Sequence, residues 1–372
     1  MGTKKLCLVL FAGFVFCCHS CTSNETKEKA AKIHADVLTV DTHADTPFLL
    51  EYVTDYDLSQ DHDPETASAQ VDFPRMKAGG LDAIFFIVWT YQAERTPDGN
   101  ASAKEHALKI LSDIHQRLDK APELAELAQS PEDAVRLETE GRRAVYIGME
   151  NGYPIGNDLA LIQDYYDWGV RYITLSHSAN NDICDSSTDP EGPEHNGLSD
   201  FGAQVVAEMN RLGIMVDVSH TSDDTVIDVL AVSTAPVIAS HSSARAVYDH
   251  PRNLPDNLLI KIAEAGGVIQ ATFYNGFVKA ADPKHPDRLA TVADFVDHVD
   301  HIVDVAGIDH VGIGSDFDGG AGLKDCRDVS EIGNITLELV RRGYSEEQIR
   351  KIWGANLMRV FRQVQAAAAN DE

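Results

Sequence analysis

Residues 37–45 read Val-Leu-Thr-Val-Asp-Thr-His-Ala-Asp, a short apolar run that ends in polar residues. The run over 37–41 is nearly continuous in apolar residues rather than alternating, which is typical of a strand buried on both faces of a parallel sheet. An open doubly wound sheet is the main alternative, and it would carry a glycine-rich phosphate turn after its first strand. Residues 41–45 contain no glycine, so we favour a closed barrel.

Seven further runs of the same kind follow along the chain. Together with the first they give eight predicted strands, at residues 37–41, 83–89, 144–150, 170–177, 214–220, 236–241, 267–273 and 310–316. Helix signals lie between them: Ser130 precedes Pro131 and two acids, and a helical apolar pattern over 199–212 stops at Gly213. Two more helices are predicted at 291–306 and 345–364. This alternation predicts an α/β fold with a single catalytic domain, a (β/α)8 TIM barrel.

The N-terminus has the features of an export signal of the lipoprotein type. Two lysines precede an apolar stretch over residues 6–18, which is too short to span a bilayer, and Ser20 stands directly before Cys21. We therefore expect residues 1–20 to be a signal peptide and Cys21 to carry a lipid. The protein would then be a membrane-anchored lipoprotein that faces the periplasm or the cell exterior. Lipidation at another cysteine of the apolar stretch, an uncleaved anchor and plain secretion remain alternatives.

Beyond the signal, three segments are predicted. Residues 21–32 form a polar, flexible tether, residues 33–365 form the barrel domain, and residues 366–372 form a polar tail. Outside the signal and Cys21, the chain has two cysteines, Cys184 and Cys326, so at most one intrachain disulfide can form.

The charge balance excludes one class of partner. The chain has 31 Lys and Arg against 59 Asp and Glu, a formal charge of −28. A surface this acidic repels phosphate backbones, so we expect no nucleic-acid partner. The sequence does not set the oligomeric state and leaves a homodimer open.

Polar side chains that can bind a metal stand at the carboxyl ends of the predicted strands, where barrel enzymes build their sites. These candidates are His43, Asp45, Glu150, His177, His220, His241, Asp316 and Asp318. Each would cost several kcal/mol to bury without a partner. A metal cation is the simplest shared partner for neutral imidazoles and ionised carboxylates.

Five of these candidates suit two metal ions better than one. His43 and Asp45 lie two apart on an extended segment, so both side chains can point into the barrel mouth. His220 and His241 arrive from neighbouring strands, and Glu150 can bridge two ions about 3.5–4 Å apart. No lysine ends a predicted strand, so Glu150 takes the bridging position by elimination. The ligand mixture favours two zinc ions per chain and leaves manganese and cobalt open.

Seven motifs together resemble the membrane (renal-type) dipeptidases, peptidase family M19 of the amidohydrolase superfamily. They stand in the family's order between about residues 33 and 364: Asp41-Thr42-His43-Ala44-Asp45, Gly148-Met149-Glu150, Thr174-Leu175-Ser176-His177, Asp217-Val218-Ser219-His220, Ser240-His241-Ser242-Ser243-Ala244, Arg252-Asn253 and Gly314-Ser315-Asp316-Phe317-Asp318-Gly319.

The resemblance implies a dizinc barrel that hydrolyses dipeptides with a free C-terminal carboxylate through a metal-bridging hydroxide. One zinc would bind His43 and Asp45, and the other would bind His220 and His241. Glu150 would be shared between the two ions. The substrate class, dipeptides, also comes from the resemblance.

The resemblance further implies roles in substrate binding and proton transfer. His177 would face the tetrahedral intermediate, Arg252 would bind the substrate carboxylate, and Asp316 would move the proton. A planar guanidinium suits a carboxylate bidentately. Arg245 competes for the same role, and family position alone favours Arg252. Phe277 replaces a tyrosine that the animal enzymes have near the substrate pocket, which leaves side-chain specificity open.

Two alternative functions also fit the sequence, and one further stretch is rich in possible metal ligands. The barrel could be a dinuclear amidohydrolase that acts on another amide, such as a β-lactam or a cyclic amide. It could also be a non-catalytic solute-binding lipoprotein, in which Asp316 would have no function. The histidines and acids of 297–301 lie on a predicted helix with an apolar stripe, and we interpret them as a solvated face.

Overall fold

The computed structural model describes residues 14–53, 55–280 and 289–368. Most of the predicted signal peptide lies outside these residues, and so do the side chains of residues 14–23, Cys21 included. Residues 369–372 of the predicted tail lie outside them as well. A bilayer crossing would require a longer or more apolar helix than any in the described part of the chain.

A parallel β-barrel forms the centre of the fold. The strands of the described chain are β1 (Val40–Ala44), β2 (Ala83–Trp89), β3 (Ala125–Leu127), β4 (Arg143–Glu150), β5 (Val170–Thr174), β6 (Met215–Asp217), β7 (Ile238–Ala239), β8 (Val268–Ala271) and β9 (Val311–Ile313). All except β3 pair side by side in chain order, and β3 pairs with β4 outside this path. A parallel bridge between Ala44 and Phe317 brings the first strand against the end of the last. This near-closed eight-stranded barrel confirms the predicted TIM-barrel fold.

Helices surround the barrel and connect its strands. They are α1 (Phe14–Asp36), α2 (Thr46–Tyr52), α3 (Phe73–Gly79), α4 (Pro97–Asp119), α5 (Pro131–Thr139), α6 (Ala160–Asp167), α7 (Asp200–Leu212), α8 (Asp223–Val232), α9 (Asp256–Glu264), α10 (Asn275–Val278), α11 (Val292–Ala306), α12 (Gly333–Arg341), α13 (Glu346–Arg350) and α14 (Asn356–Ala368). The predicted start signals are present. Ser130 forms a capping box at α5, and Ser199 Oγ accepts a hydrogen bond from Gly202 N at 2.9 Å at α7. Gly213 ends α7 with φ of 77°, which glycine adopts without steric strain.

Each predicted strand overlaps one barrel strand, but β5 to β9 end earlier than predicted. The carboxylate of Asp217 shows why, because it accepts hydrogen bonds from the backbone N–H groups of Ser219 and Ser240 at 3.0 and 2.8 Å. Side-chain bonds thus satisfy backbone groups at the strand ends, and the chain turns into the barrel mouth. β1 begins three residues later than predicted and extends to Ala44, so that His43 lies within the strand.

The prediction of a flexible tether over residues 21–32 is wrong, because these residues belong to α1. The segment is rich in Lys, Glu and Ala, which favour helix, and Ala30, Ile33 and Val37 recur at helical spacing. These three side chains are buried, and α1 packs against α12. His34 hydrogen-bonds Thr336 Oγ1 through Nδ1 at 2.7 Å and Gly79 O through Nε2 at 2.8 Å. The part of the segment from Ala30 onward is therefore docked on the barrel domain.

Aromatic side chains fill the interior of the barrel beneath the strand ends. Phe85, Tyr146 and Tyr172 are fully buried, and the ring centre of Phe85 lies 4.8 Å from that of Tyr146 and 5.4 Å from that of Tyr172. Gly148 lies against the Tyr172 ring, and a Cβ at this position would overlap the ring. The interior is thus packed without room for the Tyr172 ring to move, which fixes its hydroxyl at the barrel mouth.

We predict that Ile33→Ala loosens the docked helix. Ile33 is 3% exposed, and truncation of a buried isoleucine costs about 2–5 kcal/mol. The variant should show a lower free energy of unfolding and faster amide exchange in α1. Lys32→Ala is the control, because Lys32 is exposed on the same helix. Equal exchange in the two variants would contradict the docking of α1.

Candidate metal centre

The predicted ligands all lie at the carboxyl ends of the barrel strands. His43 is in β1, Glu150 is the last residue of β4, and the other candidates follow their strands within three residues, except Asp318, which lies five residues after β9. They are buried except for His177 and Asp318, which are half-buried. The parallel strands therefore bring together side chains that are up to 273 positions apart in sequence, from His43 to Asp316.

Three of these residues, His220, Asp316 and Asp318, have an uncommon backbone conformation. His220 has φ of 69° and Asp316 has φ of 67°, in the left-handed region that non-glycine residues seldom adopt. Such conformations cost of the order of 1–3 kcal/mol and persist where surrounding bonds hold them. Asp316 N donates to His43 O at 2.9 Å, which ties this turn to β1. The strained backbone thus lies where the side chains of His220 and Asp316 turn into the barrel mouth.

The carboxylate of Glu150 lies at the centre of the cluster. Its Oε1 is 2.9 Å from His220 Nε2, 3.2 Å from His241 Nε2 and 3.7 Å from His43 Nε2. Its Oε2 is 3.9 Å from His177 Nε2. One carboxylate therefore contacts imidazoles that follow four different strands.

Three groups of side chains in the described chain have ligand atoms close enough to share an ion. They are His43 with Glu150 and His241, Glu150 with His177 and His220, and His43 with Asp45 and Asp316. Two of the groups share Glu150, as expected of a bridging ligand. His220 Nε2 also lies 2.9 Å from His241 Nε2, and His43 Nε2 lies 3.6 Å from Asp45 Oδ2. Both predicted ligand pairs are therefore adjacent, and how the ligands divide between two ions stays a prediction.

The donor set fits a cation. His43 Nε2 and Asp45 Oδ1 are buried, face the cluster and have no hydrogen-bond partner. A buried polar atom without a partner is costly, and a metal ion would satisfy both of these atoms at once. The mixture of imidazole and carboxylate donors suits a first-row transition metal, zinc among them.

A cavity of about 340 Å³ opens above the cluster. It is lined by Asp45, Phe48, Trp89, Glu150, His177, Ser178, His220, His241, Tyr274, Phe277, Asp316, Asp318 and Gly319. Charged ligands thus form its floor, and partly exposed aromatic rings form its walls. The volume suits a small molecule rather than a folded partner.

The two candidate arginines differ in their surroundings. Arg252 is 4% exposed, its Nη2 donates to His241 O at 3.2 Å, and its Nε has no partner. Its guanidinium carbon lies 5.2 Å from the centre of the Phe277 ring, at the cavity wall. Arg245 instead donates to both carboxylate oxygens of Asp223, at 2.7 and 2.8 Å. Geometry therefore favours Arg252 beside the cavity.

Comparison with known families assigns the chain. Residues 27–372 match the family model described as membrane dipeptidase (peptidase family M19). The chain belongs to peptidase family M19. It is thus a metallo-dipeptidase of the amidohydrolase-like fold.

Similar proteins agree with this assignment. The M19 dipeptidase is 36% identical to dipeptidase verJ of Clonostachys rogersoniana, over 92% of this chain and 88% of verJ. Its fold matches the crystal structure of the probable dipeptidase PvdM from Pseudomonas aeruginosa with a TM-score of 0.85, at 29% identity, over 93% of this chain and all of PvdM. A Rhodobacter sphaeroides metallo peptidase liganded with a phosphinate mimic of the dipeptide L-Ala-D-Ala matches with a TM-score of 0.78, at 25% identity, over 88% of this chain and 99% of that one.

Behind the ligands of the M19 dipeptidase, hydrogen bonds fix the orientation of two imidazoles. Tyr172 Oη donates to Thr42 O at 3.0 Å and lies 2.9 Å from His43 Nδ1, so His43 Nδ1–H donates to Tyr172. Ser240 Oγ donates to Asp217 at 2.6 Å and accepts from His241 Nδ1 at 2.8 Å. In both histidines the proton is on Nδ1, which leaves the Nε2 lone pair free for a metal.

The ionisation of the cluster reflects burial among like charges. Burial raises the pKa of Glu150 to about 8, and burial together with Asp45 raises the pKa of Asp316 well above its usual value. Burial opposes protonation of His43, but Glu150 and Asp45 outweigh it and raise the pKa of His43 to about 10. The carboxylates thus attract positive charge, and a metal ion supplies it without protonating the ligands.

Several supporting residues could not be identified from the sequence. Tyr172 looked like an interior strand residue, and Asp217 and Ser240 stood in the family motifs without an assigned role. Asp217 and Ser240 have one signal, a position at a strand end near a predicted ligand, and Tyr172 lacks even that. His298, expected on a solvated face, is buried: its Nδ1 accepts from Ala244 N at 3.1 Å and its Nε2 donates to Val278 O at 2.9 Å.

The two remaining cysteines are free and buried in the structure. The sequence allowed one disulfide between Cys184 and Cys326, and the structure does not contain it. Burial raises the pKa of Cys184 to about 12, so its thiol stays protonated and unreactive at neutral pH.

We predict that Tyr172→Phe weakens metal binding by about 10- to 100-fold, the usual effect of removing a hydrogen-bond partner behind a ligand. The ring is kept, and the lost contacts are the hydrogen bonds of the Tyr172 hydroxyl to His43 Nδ1 and to Thr42 O. Competition with a chelator would measure the affinity. Tyr146→Phe is the matched control, because Tyr146 Oη donates to Ser130 O away from the cluster. Equal affinity in both variants would contradict this role.

Proposed function

We propose that this M19 dipeptidase uses two zinc ions to hydrolyse dipeptides that have a free C-terminal carboxylate. His43 and Asp45 would hold one ion, His220 and His241 the other, and Glu150 both. The observation that carries the proposal is the Glu150 carboxylate, which lies between imidazoles from opposite sides of the barrel mouth. When bound, such ions lower the pKa of water towards neutrality and polarise a carbonyl.

Arg252 is proposed to bind the substrate carboxylate. Burial lowers the pKa of Arg252 to about 10, so the guanidinium is still charged at neutral pH. Its unpartnered Nε and the neighbouring Phe277 ring leave one side of the fork available. A carboxylate bound there would place the scissile bond of a dipeptide, and no longer peptide, over the cluster.

His177 is proposed to stabilise the oxyanion. Burial, followed by the charge of Arg252, lowers the pKa of His177 to about 4, so the ring is neutral at pH 7. Ser178 Oγ lies 3.0 Å from His177 Nδ1. If the serine donates to Nδ1, His177 Nε2 carries the proton and can donate to an oxyanion in the cavity. A protonated Nε2 cannot bind a metal, which distinguishes His177 from the three histidines proposed as ligands, His43, His220 and His241.

Asp316 is proposed to transfer the proton. Its carboxyl lines the cavity, and burial together with the neighbouring Asp45 raises its pKa above the usual value, which makes the carboxylate a stronger proton acceptor. It can therefore accept a proton from water and donate it to the leaving amine. The phosphinate dipeptide mimic bound by the Rhodobacter sphaeroides protein supports this type of reaction, because a phosphinate has the tetrahedral centre that an attacked peptide carbonyl acquires.

We also propose that the protein is exported and anchored through a lipid on Cys21. The support is the order of the N-terminal features, in which two lysines precede an apolar stretch and a Ser-Cys pair. The substrate would then be hydrolysed in the periplasm or at the cell exterior.

We predict that a strong chelator abolishes dipeptide hydrolysis and that added zinc restores it, with about two zinc ions per chain in the active protein. Metal analysis and a dipeptide assay would be made on the same samples. Chelator already saturated with zinc is the control and should leave the rate unchanged. Full activity in a sample shown to contain no metal would refute the mechanism.

We predict that Arg252→Ala lowers kcat/KM for a free dipeptide by about 10- to 100-fold, mainly through KM, because a charge-assisted hydrogen bond contributes about 1.5–3 kcal/mol. The same dipeptide with a C-terminal amide should be affected much less. Arg245→Ala is the control, since Arg245 pairs with Asp223. An unchanged KM in Arg252→Ala would remove the carboxylate-binding role and favour an amide substrate of another kind.

A further inference from the structure

Asp318 lines the cavity, yet both of its carboxylate oxygens are already bonded to the protein. Oδ1 accepts from Gln70 N and Oδ2 accepts from Thr46 Oγ1, each at 2.7 Å. Asp318 N in turn donates to Gln70 Oε1 at 2.7 Å. The three groups of possible metal ligands in the described chain do not include Asp318. Its contacts thus point to a role in positioning other groups.

The residues that Asp318 joins are close to the reacting groups. Thr46 follows the ligand Asp45 directly, and it is fully buried. Asp318 belongs to the turn over residues 316–321, in which Asp316 and Asp318 both have a left-handed backbone, with φ of 67° and 65°. On one side, Asp45 N donates to Phe317 O at 2.8 Å and ties this turn to β1. On the other side, the bonds to Asp318 hold it.

Gly319 connects Asp318 to the carboxylates of Asp316 and Asp45. A Cβ on Gly319 would overlap Oδ1 of Asp316 and Oδ2 of Asp45, so its backbone presses against both carboxylates. A shift of Asp318 must move Gly319, and Gly319 cannot move without changing the space left to the two carboxylates.

The partner side of the contact is itself rigid. Gln70 Nε2 donates to Ala321 O at 2.9 Å and to Arg327 O at 2.6 Å. The carbonyl of the preceding residue, Ala69, accepts from Arg75 Nη2 at 2.7 Å, and Arg75 is buried in ion pairs with Asp72 and Asp328. The segment over residues 55–72 is therefore fixed from behind and can hold the turn.

We propose that Asp318 is a positioning residue, which fixes the carboxylates of Asp316 and Asp45 by tying their turn to Thr46 and Gln70. The inference rests on the proposed role of Asp316 in proton transfer. Misplacement of a reacting group by about 1 Å can cost about 100-fold in rate. Loss of one of these bonds should therefore lower kcat more than it changes KM.

The test compares Thr46→Val, which is isosteric but lacks the hydroxyl, with Thr46→Ser, which keeps it. At saturating zinc we expect Thr46→Val to lower kcat about 10- to 100-fold with KM within threefold of the wild type and two metals retained. Thr46→Ser should recover kcat to within about threefold. Ser59→Ala is the control, because the Ser59 hydroxyl bonds Asp57 in the same segment, away from the turn.

Three results would overturn the inference: a kcat of Thr46→Val within twofold of the wild type, an equal loss in Thr46→Ser, or a loss of metal that accounts for the rate. Amide exchange of residues 318–321 gives a readout without turnover, and Thr46→Val should exchange at least tenfold faster there than the wild type or Ser59→Ala. If the wild type hydrolyses no dipeptide, the proposed function fails, and exchange alone decides whether Asp318 holds the turn.

Discussion

The carboxylate of Glu150 lies close to four imidazoles. The structure of the barrel mouth depends on this group of closely spaced ligand atoms. Each imidazole follows a different strand, so the cluster exists only when β1, β4, β5, β6 and β7 are in register. Buried acids near one another repel, and they are stable together only with positive charge between them. The strand pairing that forms the barrel therefore also assembles the cluster that attracts cations at one end of the barrel.

The barrel interior supports the site as well as the fold. Tyr172 packs among aromatic rings through its apolar face and orients His43 through its hydroxyl. Asp217 satisfies backbone groups after β6 and β7 and, through Ser240, orients His241. Substitutions one layer below the mouth thus reach the ligands through rigid packing and single hydrogen bonds.

The sequence was sufficient for the barrel and for the residues of the cluster, because parallel strands buried on both faces have a distinctive pattern and their polar ends meet at one edge. His43, Glu150, His220 and His241 could be found in this way. Other features depend on contacts between distant segments. The choice of Arg252 over Arg245 follows from Asp223, which pairs with one and not the other. His298 has a helical spacing that suits solvent, but it bonds two backbone groups that the sequence does not place beside it.

The docked α1 changes how the N-terminus relates to the catalytic mouth. The buried side chains of this helix, Ala30 and Ile33, lie in its last two turns, and the helix packs on α12. A flexible linker would let the barrel rotate freely about its point of attachment. The docked end of α1 instead fixes the direction in which the chain leaves the barrel, so an attachment on the N-terminal side of α1 would restrict how the barrel mouth can turn.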